Sequence, residues 1–311
     1  MEIHMKIATT IGEMYNFSSD TNFAASSAEA VSFYKDTGFK CLDFSFYAAC
    51  DNKNSPLEAD NWRNLILESK AVADELGFKF VQAHGPSCEL RGEGMERELL
   101  ITNRAIEACG MLGIKNMVMH PGRFPEISYN GGELAYFKEN EPFFRALIPM
   151  MEKYDVSILF ENGTHHYSPN GCYYPVPAKD LNAMIDYMGH PLFGAAWDVG
   201  HAHMAELDHY SEIMELGKNL KAIHVHDNDR SEDWHAAPFF GTADYDSLMR
   251  GLIESGFDGY FTLEADSFFA YNRRGCRGRY SHTPLEVKKA SLALLYSIAK
   301  SLLSDYDLFE Y

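Results

Sequence analysis

Eight short apolar runs alternate with eight longer amphipathic segments along the chain. The runs cover residues 6–12, 41–47, 79–85, 116–122, 157–163, 193–200, 220–227 and 259–266, and most are continuous stretches rich in Ile, Val, Leu and Phe. Continuous rather than alternating hydrophobicity predicts parallel strands buried on both faces. Between them, Trp62, Leu65, Ile66, Ala73 and Leu76 keep three-to-four spacing up to Gly77, and Ile101, Ala105, Ile106, Cys109 and Leu112 do so up to Gly113. That is the period of a helix with one buried face. Helical patterns also cover residues 28–37, 142–154, 178–188, 210–216, 245–255 and 284–303. Gly38, Gly77, Gly113 and Gly256 follow such segments closely, as helix C-caps do.

Eight strand–helix units predict an α/β fold closed into a (β/α)8 TIM barrel, as a single domain over residues 1–311. A doubly wound open sheet is the competing architecture, but it normally carries a glycine-rich phosphate turn after its first strand. Here that turn reads Thr9-Thr10-Ile11-Gly12-Glu13, and no G-x-G-x-x-G follows.

Composition narrows the class. With 46% hydrophobic and 14% aromatic residues there is ample material for a core, which excludes disorder. The formal charge of −18 repels phosphate backbones and anionic membranes at long range, so neither nucleic acid nor a membrane is an expected partner. No run approaches the roughly 20 apolar residues of a membrane helix. The start, Met1-Glu2-Ile3-His4-Met5-Lys6, lacks the basic and longer apolar regions of a secretory signal. Six cysteines are scattered without CxxC or paired spacing, which suits reduced thiols and a cytoplasmic location.

The candidate chemistry lies at the ends of the runs. The third ends in His84-Gly85, the fourth in His120-Pro121-Gly122 and the fifth in Glu161-Asn162-Gly163. The sixth ends in Asp198-Val199-Gly200-His201, the seventh in His224-Val225-His226-Asp227 and the eighth in Glu264-Ala265-Asp266. In a barrel these C-terminal ends meet on one face, so residues distant in sequence converge on one pocket. A lone histidine after an apolar run is more often a hydrogen-bonded core residue than a ligand. A carboxylate at the end of a buried strand costs several kcal/mol unless partnered. Six consecutive strands each delivering an imidazole or carboxylate point to a bound cation of the Zn²⁺ or Mn²⁺ kind.

This strand-end set resembles the xylose-isomerase-like TIM-barrel superfamily of sugar and sugar-phosphate isomerases and epimerases, inosose dehydratases and zinc apurinic endonucleases. The resemblance is carried by Glu161-Asn162, Asp198-x-x-His201, His224-Val225-His226-Asp227-Asn228-Asp229, Asp233-Trp234-His235 and Glu264. In the ketose 3-epimerase branch it implies one divalent ion on Glu161, Asp198, His224 and Glu264, with substrate contacts from His201 and Arg230. In the endonuclease branch it implies further ligands at His84, His120, Asp233 and His235. These, with His201, are candidate contacts to a second ion or to sugar hydroxyls. Charge favours sugar chemistry over DNA, and the loop Pro238-Phe239-Phe240-Gly241-Thr242-Ala243-Asp244-Tyr245 resembles that of the sugar isomerases.

The expected activity is therefore a metal-dependent sugar or sugar-phosphate isomerase or epimerase. It moves a proton through an enediolate held on a divalent ion, with Glu161 and Glu264 as the acid–base pair. The expected ion is Mn²⁺, Zn²⁺ or Co²⁺, with Mg²⁺ less suited. The alternatives are a zinc-dependent phosphodiesterase of the apurinic endonuclease type and an inosose dehydratase-like lyase. A small-molecule sugar or sugar phosphate is the expected partner; a homodimer is one candidate assembly, the oligomeric state being left open by the sequence. Four arginines in Asn272-Arg273-Arg274-Gly275-Cys276-Arg277-Gly278-Arg279 suggest an anion site, a solvated loop or a subunit contact. The pair His165-His166 sits in a long loop with the length of a lid.

Overall fold

The computed structural model describes residues 4–12, 14–18, 23–164, 171–265 and 284–310. Its strands are β1 (Ile7–Thr10), β2 (Cys41–Ser45), β3 (Lys79–His84), β4 (Asn116–Met119), β5 (Ser157–Glu161), β6 (Phe193–Asp198), β7 (Leu220–Val225) and β8 (Phe261–Leu263). They pair in parallel and in chain order, and β8 closes on β1 through Ile7 opposite Phe261. Around them run α1 (Ser27–Ser32), α2 (Trp62–Leu76), α3 (Met95–Leu112), α4 (Glu133–Tyr154), α5 (Ala178–Met188), α6 (Val199–Met204), α7 (His209–Leu216), α8 (Tyr245–Ser255) and α9 (Leu285–Asp305). The fold is a TIM barrel, as the alternation of patterns predicts. Among the described residues, no helix is long and apolar enough to cross a membrane.

Three boundaries differ from the sequence reading, each for a local reason. Helix α4 begins at Glu133, well before Pro142, which lies inside it. Proline removes one helical hydrogen bond at a cost of about 3 kcal/mol, yet Tyr136, Phe137 and Asn140 before it and Phe143, Phe144 and Leu147 after it share one buried face. Helix α1 stops at Ser32 because the next bonds, from Phe33 N to Ala30 O and Tyr34 N to Val31 O, are tight three-residue turns. The sixth run is strand only to Asp198. Its last two residues, Val199 and Gly200, open the short helix α6, whose first turn Asp198 caps by accepting from His201 N at 2.6 Å. Gly77, Gly113 and Gly256 are left-handed helix C-caps, whereas Gly38 lies in the turn beyond α1.

Alternation along each strand positions the site. Side chains two residues apart share a face. Val118, Leu159, Ala196 and Ala222 form a small apolar cluster separate from the main core. Two residues further along the chain stand His120, Glu161, Asp198 and His224. The barrel interior thus has an apolar floor and, one layer above it, a polar mouth.

Candidate metal centre at the C-terminal face

Glu161, Asp198, His224 and Glu264 each offer one ligand atom, and these four atoms lie within 4.8 Å of one another. Glu161, Asp198 and His224 are buried, with Glu264 slightly more open. His224 Nδ1 lies 2.6 Å from Glu161 Oε1 and 3.0 Å from Glu264 Oε2. The β6–β7 register sets Asp198 directly beside His224. Asn162, the residue after β5, donates to Asp198 O at 3.0 Å and accepts from Asp198 N at 2.7 Å, fixing the strand end.

Histidines flank this quartet on both sides. His84 Nδ1 is 2.7 Å from Asp43 Oδ1, and its Nε2 is 3.2 Å from Glu264 Oε1. The His84 ring stacks on His224 at 4.3 Å. Gln82 Nε2 donates to Asp43 Oδ2 at 3.1 Å and lies 2.7 Å from His224 Nε2, while His224 Nδ1 faces the carboxylates. His120 Nε2 is 3.2 Å from Glu161 Oε2, and its Nδ1 is 3.2 Å from the Tyr174 hydroxyl.

A second group adjoins the quartet: His201, His226, Asp233 and His235 also converge within 4.8 Å. His201 Nε2 and His235 Nε2 lie 3.3 and 3.2 Å from Asp233 Oδ2. His226 Nε2 lies 3.0 and 3.1 Å from the Asp198 oxygens, linking the two groups. The loop carrying Asp233 and His235 is closed by paired backbone bonds between Asp227 and Ala236. The buried Asp227 carboxylate also accepts from the backbone of Asn228, Phe239 and Ala243. The backbone at His235 is left-handed (φ 49°), a conformation that histidine enters more readily than most residues. Gly200 is required where it stands, since a Cβ there would lie 1.9 Å from the His226 ring.

Electrostatics bind the two groups together. Burial pulls His224 and His201 downward, but the neighbouring carboxylates prevail and hold both at about 10. His84 is raised well above its ordinary value in the same way, against burial, by Asp43 and Glu264. Burial pushes Glu161, Asp198, Asp233 and Glu264 upward, and the facing imidazoles overcome it to keep each below the ordinary carboxylate range. Burial lowers His120. In this form protons on imidazoles neutralise a dense set of carboxylates.

The donor set fits a divalent ion. Three carboxylates and one imidazole within one small sphere are oxygen and nitrogen ligands suited to Mn²⁺, Co²⁺ or Zn²⁺. Asp233 Oδ1 is buried and makes no hydrogen bond among the described residues, which leaves a donor atom in place for a cation at the adjoining group.

Every sequence-predicted ligand thus reaches the mouth. Arg230 stands at its edge, half exposed, with Nη1 3.9 Å from Glu206 Oε1. Asp43, Gln82 and His226 were absent from the predicted set. Asp43 had a legible signal, being a carboxylate inside an apolar strand. Of the aromatic residues near the mouth, Phe44, Phe46 and Trp197 are core, whereas Phe239 and Phe240 are exposed. His165, His166, Asp266 and the arginines of 273–279 lie outside the described residues. The five cysteines within them are free thiols.

A closed parallel barrel with acids and imidazoles gathered at the C-terminal strand ends defines a TIM barrel with a polar mouth. The chain belongs to the xylose isomerase-like TIM barrel family, whose model matches residues 31–277. It is 24% identical over 191 residues to the uncharacterized protein MJ1311 of Methanocaldococcus jannaschii, a match covering 59% of this chain and 64% of that one. Less than two thirds of that relative's length is therefore spanned. In three dimensions it is similar to D-psicose 3-epimerase of Clostridium cellulolyticum H10, solved with D-tagatose (TM-score 0.70, 14% identity, covering 96% of this chain and 99% of that one). It is also similar to 3-keto-D-glucoside 4-epimerase of E. coli (TM-score 0.64, 18% identity, 94% and 99%). At these identities the likeness is one of fold.

Proposed function

We propose that the protein is a metal-dependent carbohydrate epimerase or isomerase whose reaction centre is Glu161, Asp198, His224 and Glu264. One observation carries the reading: four ligand atoms from β5, β6, β7 and the end of β8 share a sphere of 4.8 Å, with both glutamates against His224. Held by these four residues, a divalent ion would supply Lewis acidity toward the sugar carbonyl. Glu161 and Glu264 approach from strands three positions apart around the ring. One takes the proton beside the carbonyl, and the other, given a proton by an imidazolium that faces it, returns that proton to the opposite face. His201, held by its Nδ1 on Asn162 O at 2.8 Å, has Nε2 3.3 Å from Asp233 and would turn that N–H from the carboxylate to the developing oxyanion. Arg230 would leave Glu206 to join it. The apolar floor of Val118, Leu159, Ala196 and Ala222 keeps water from below the reacting carbon.

The fold-level likeness to solved sugar epimerases supports this assignment. The test is hydrogen exchange. Incubated in D₂O with Mn²⁺, Co²⁺ or Zn²⁺ and a panel of ketoses, the protein incorporates deuterium beside the carbonyl as the epimer appears. A panel that shows neither exchange nor epimer with the metal-loaded protein overturns it. Release of water from an inosose in the same assay would assign the dehydratase instead.

A second reading rests on His201, Asp233 and His235 converging beside the quartet, with His84 and His120 on its other flank. That larger set suits a phosphodiesterase with several zinc ions. The charge of −18 opposes a duplex DNA substrate. Three tightly held zinc ions per chain, with cleavage of an abasic strand, would favour it.

A further inference from the structure

A cavity of about 440 Å³ opens at the C-terminal face between the loops that follow β2, β3 and β4. Tyr47, Ser87, Arg91, His120 and Arg123 line it. A volume of this size lies within the usual range for small-molecule pockets, about 300–1,000 Å³. His120 forms its inner wall and also lies 3.2 Å from Glu161, so the cavity adjoins the quartet with the His120 ring between them. Two arginines at one mouth are unexpected in a chain of charge −18.

The two differ in how they are held. Arg91 lies over the Phe124 ring and pairs with Glu126 at 2.6 Å and Glu139 at 3.5 Å, so its charge is answered away from the centre. Arg123 lines the same cavity as His120 and Tyr47, with its side chain open to solvent. The backbone before it is anchored from α4: Gly122 N donates to Asn140 Oδ1 at 2.8 Å, and Tyr136 donates to Gly122 O at 2.8 Å. Both anchoring side chains are fully buried. Glu89, the one carboxylate of the lining, acts on Asp51 and Glu98, two acidic neighbours outside the lining. A guanidinium on a fixed backbone beside a reaction centre suits a planar, two-pronged contact with an oxyanion.

We propose that this cavity is an anion subsite, in which Arg123 holds a phosphate or carboxylate at the far end of a substrate whose carbonyl end lies over the quartet. The inference rests on the quartet being the reaction centre, and it makes the substrate an acidic sugar derivative. His120 separates the two ends, its Nε2 facing Glu161 and its ring forming the subsite wall.

Equilibrium binding tests this without turnover. D-fructose, D-fructose 6-phosphate and 5-keto-D-gluconate are titrated calorimetrically into chelator-treated and Mn²⁺-loaded protein. At least one of the two anionic sugars binds tenfold or more tightly than D-fructose, and which one does so separates phosphate from carboxylate. Arg123→Gln removes that preference, Arg123→Lys restores part of it, and Arg91→Gln reduces it less than Arg123→Gln. Thermal melting alongside confirms that each variant is folded. Equal affinities for all three sugars overturn the proposal, as does a preference that survives Arg123→Gln. Manganese uptake at the quartet without anion preference overturns the subsite and leaves the reaction centre standing. Anion preference without metal uptake upholds the subsite and removes the epimerase reading.

Discussion

The two clusters at the barrel mouth are built from the same residue types in opposite proportion. The quartet sets three carboxylates against one imidazole and sits at the ends of the strands, where backbone pairing fixes each Cα. The adjoining group sets three imidazoles against one carboxylate, and Asp233 and His235 ride on a loop held by Asp227. A carboxylate-rich centre neutralises a divalent ion and still offers bases. An imidazole-rich centre binds nitrogen-preferring ions such as Zn²⁺ and offers polarising N–H groups when it holds none. On the proposed reading, chemistry belongs to the strands and adjustment to the loop, with His226 joining them through Asp198.

The largest effect should come from the strand-borne side. Glu161→Gln and Glu264→Gln each remove one acid–base group while keeping its shape, and each should lower kcat by about 10²–10⁴-fold with the melting temperature little changed. Steady-state kinetics on whichever sugar exchanges deuterium reads this. Full activity in both variants would place the chemistry elsewhere.

The scaffold behind the quartet gives the next effect. His209 is buried behind β6, where Nδ1 accepts from Trp197 Nε1 at 3.3 Å. Burial, with a smaller push from His203, lowers it to about 4. A folded value below the unfolded 6.5 means that its contribution is complete above pH 6.5 and is lost as pH falls toward 4, because only the unfolded chain takes up the proton. The loss amounts to about 3 kcal/mol. Urea unfolding at pH 7 and pH 4 measures it, and His209→Gln should flatten that part of the profile. An unchanged slope in the variant would contradict the assignment.

Gly200→Ala probes the link between the two groups. The added methyl must displace the His226 ring, which should cost about 1–3 kcal/mol and disturb Asp198 through its bond to His226. Thermal melting reads the first effect and metal titration the second. If His226 shifts and quartet affinity does not change, the groups are independent.

Smallest are the changes confined to the loop. Asp233→Asn and His235→Ala should weaken Zn²⁺ binding at the second group by at least about tenfold, with Mn²⁺ affinity of the quartet nearly unchanged. Isothermal titration with each metal separates them. An equal loss at both groups would erase the distinction between strand and loop.

Much of this arrangement was legible in the sequence, because strand ends are announced by hydrophobicity. Glu161, Asp198, His224 and Glu264 each close an apolar run, and ring closure follows from the number of runs. What escaped was inside the runs or beyond them. Asp43 and Gln82 stand in strands and face the mouth by alternation, two residues before Ser45 and His84. Read as parts of continuous apolar stretches, they passed as strand composition. His226 lies two residues past His224, yet its role depends on the helix α6 that Asp198 caps, and a strand drawn through Gly200 hides that helix. Helix α4 shows the same limit, since a proline reads as a start until the buried face on both sides of it is counted.

The most direct test is where a cation sits. Crystals of the protein grown with Mn²⁺ and measured at the manganese absorption edge should show an anomalous peak between Glu161, Asp198, His224 Nδ1 and Glu264, at about 2.0–2.2 Å from their oxygens, and no such peak after Glu161→Gln. Manganese bound elsewhere, with that centre empty in the wild type, would contradict the account.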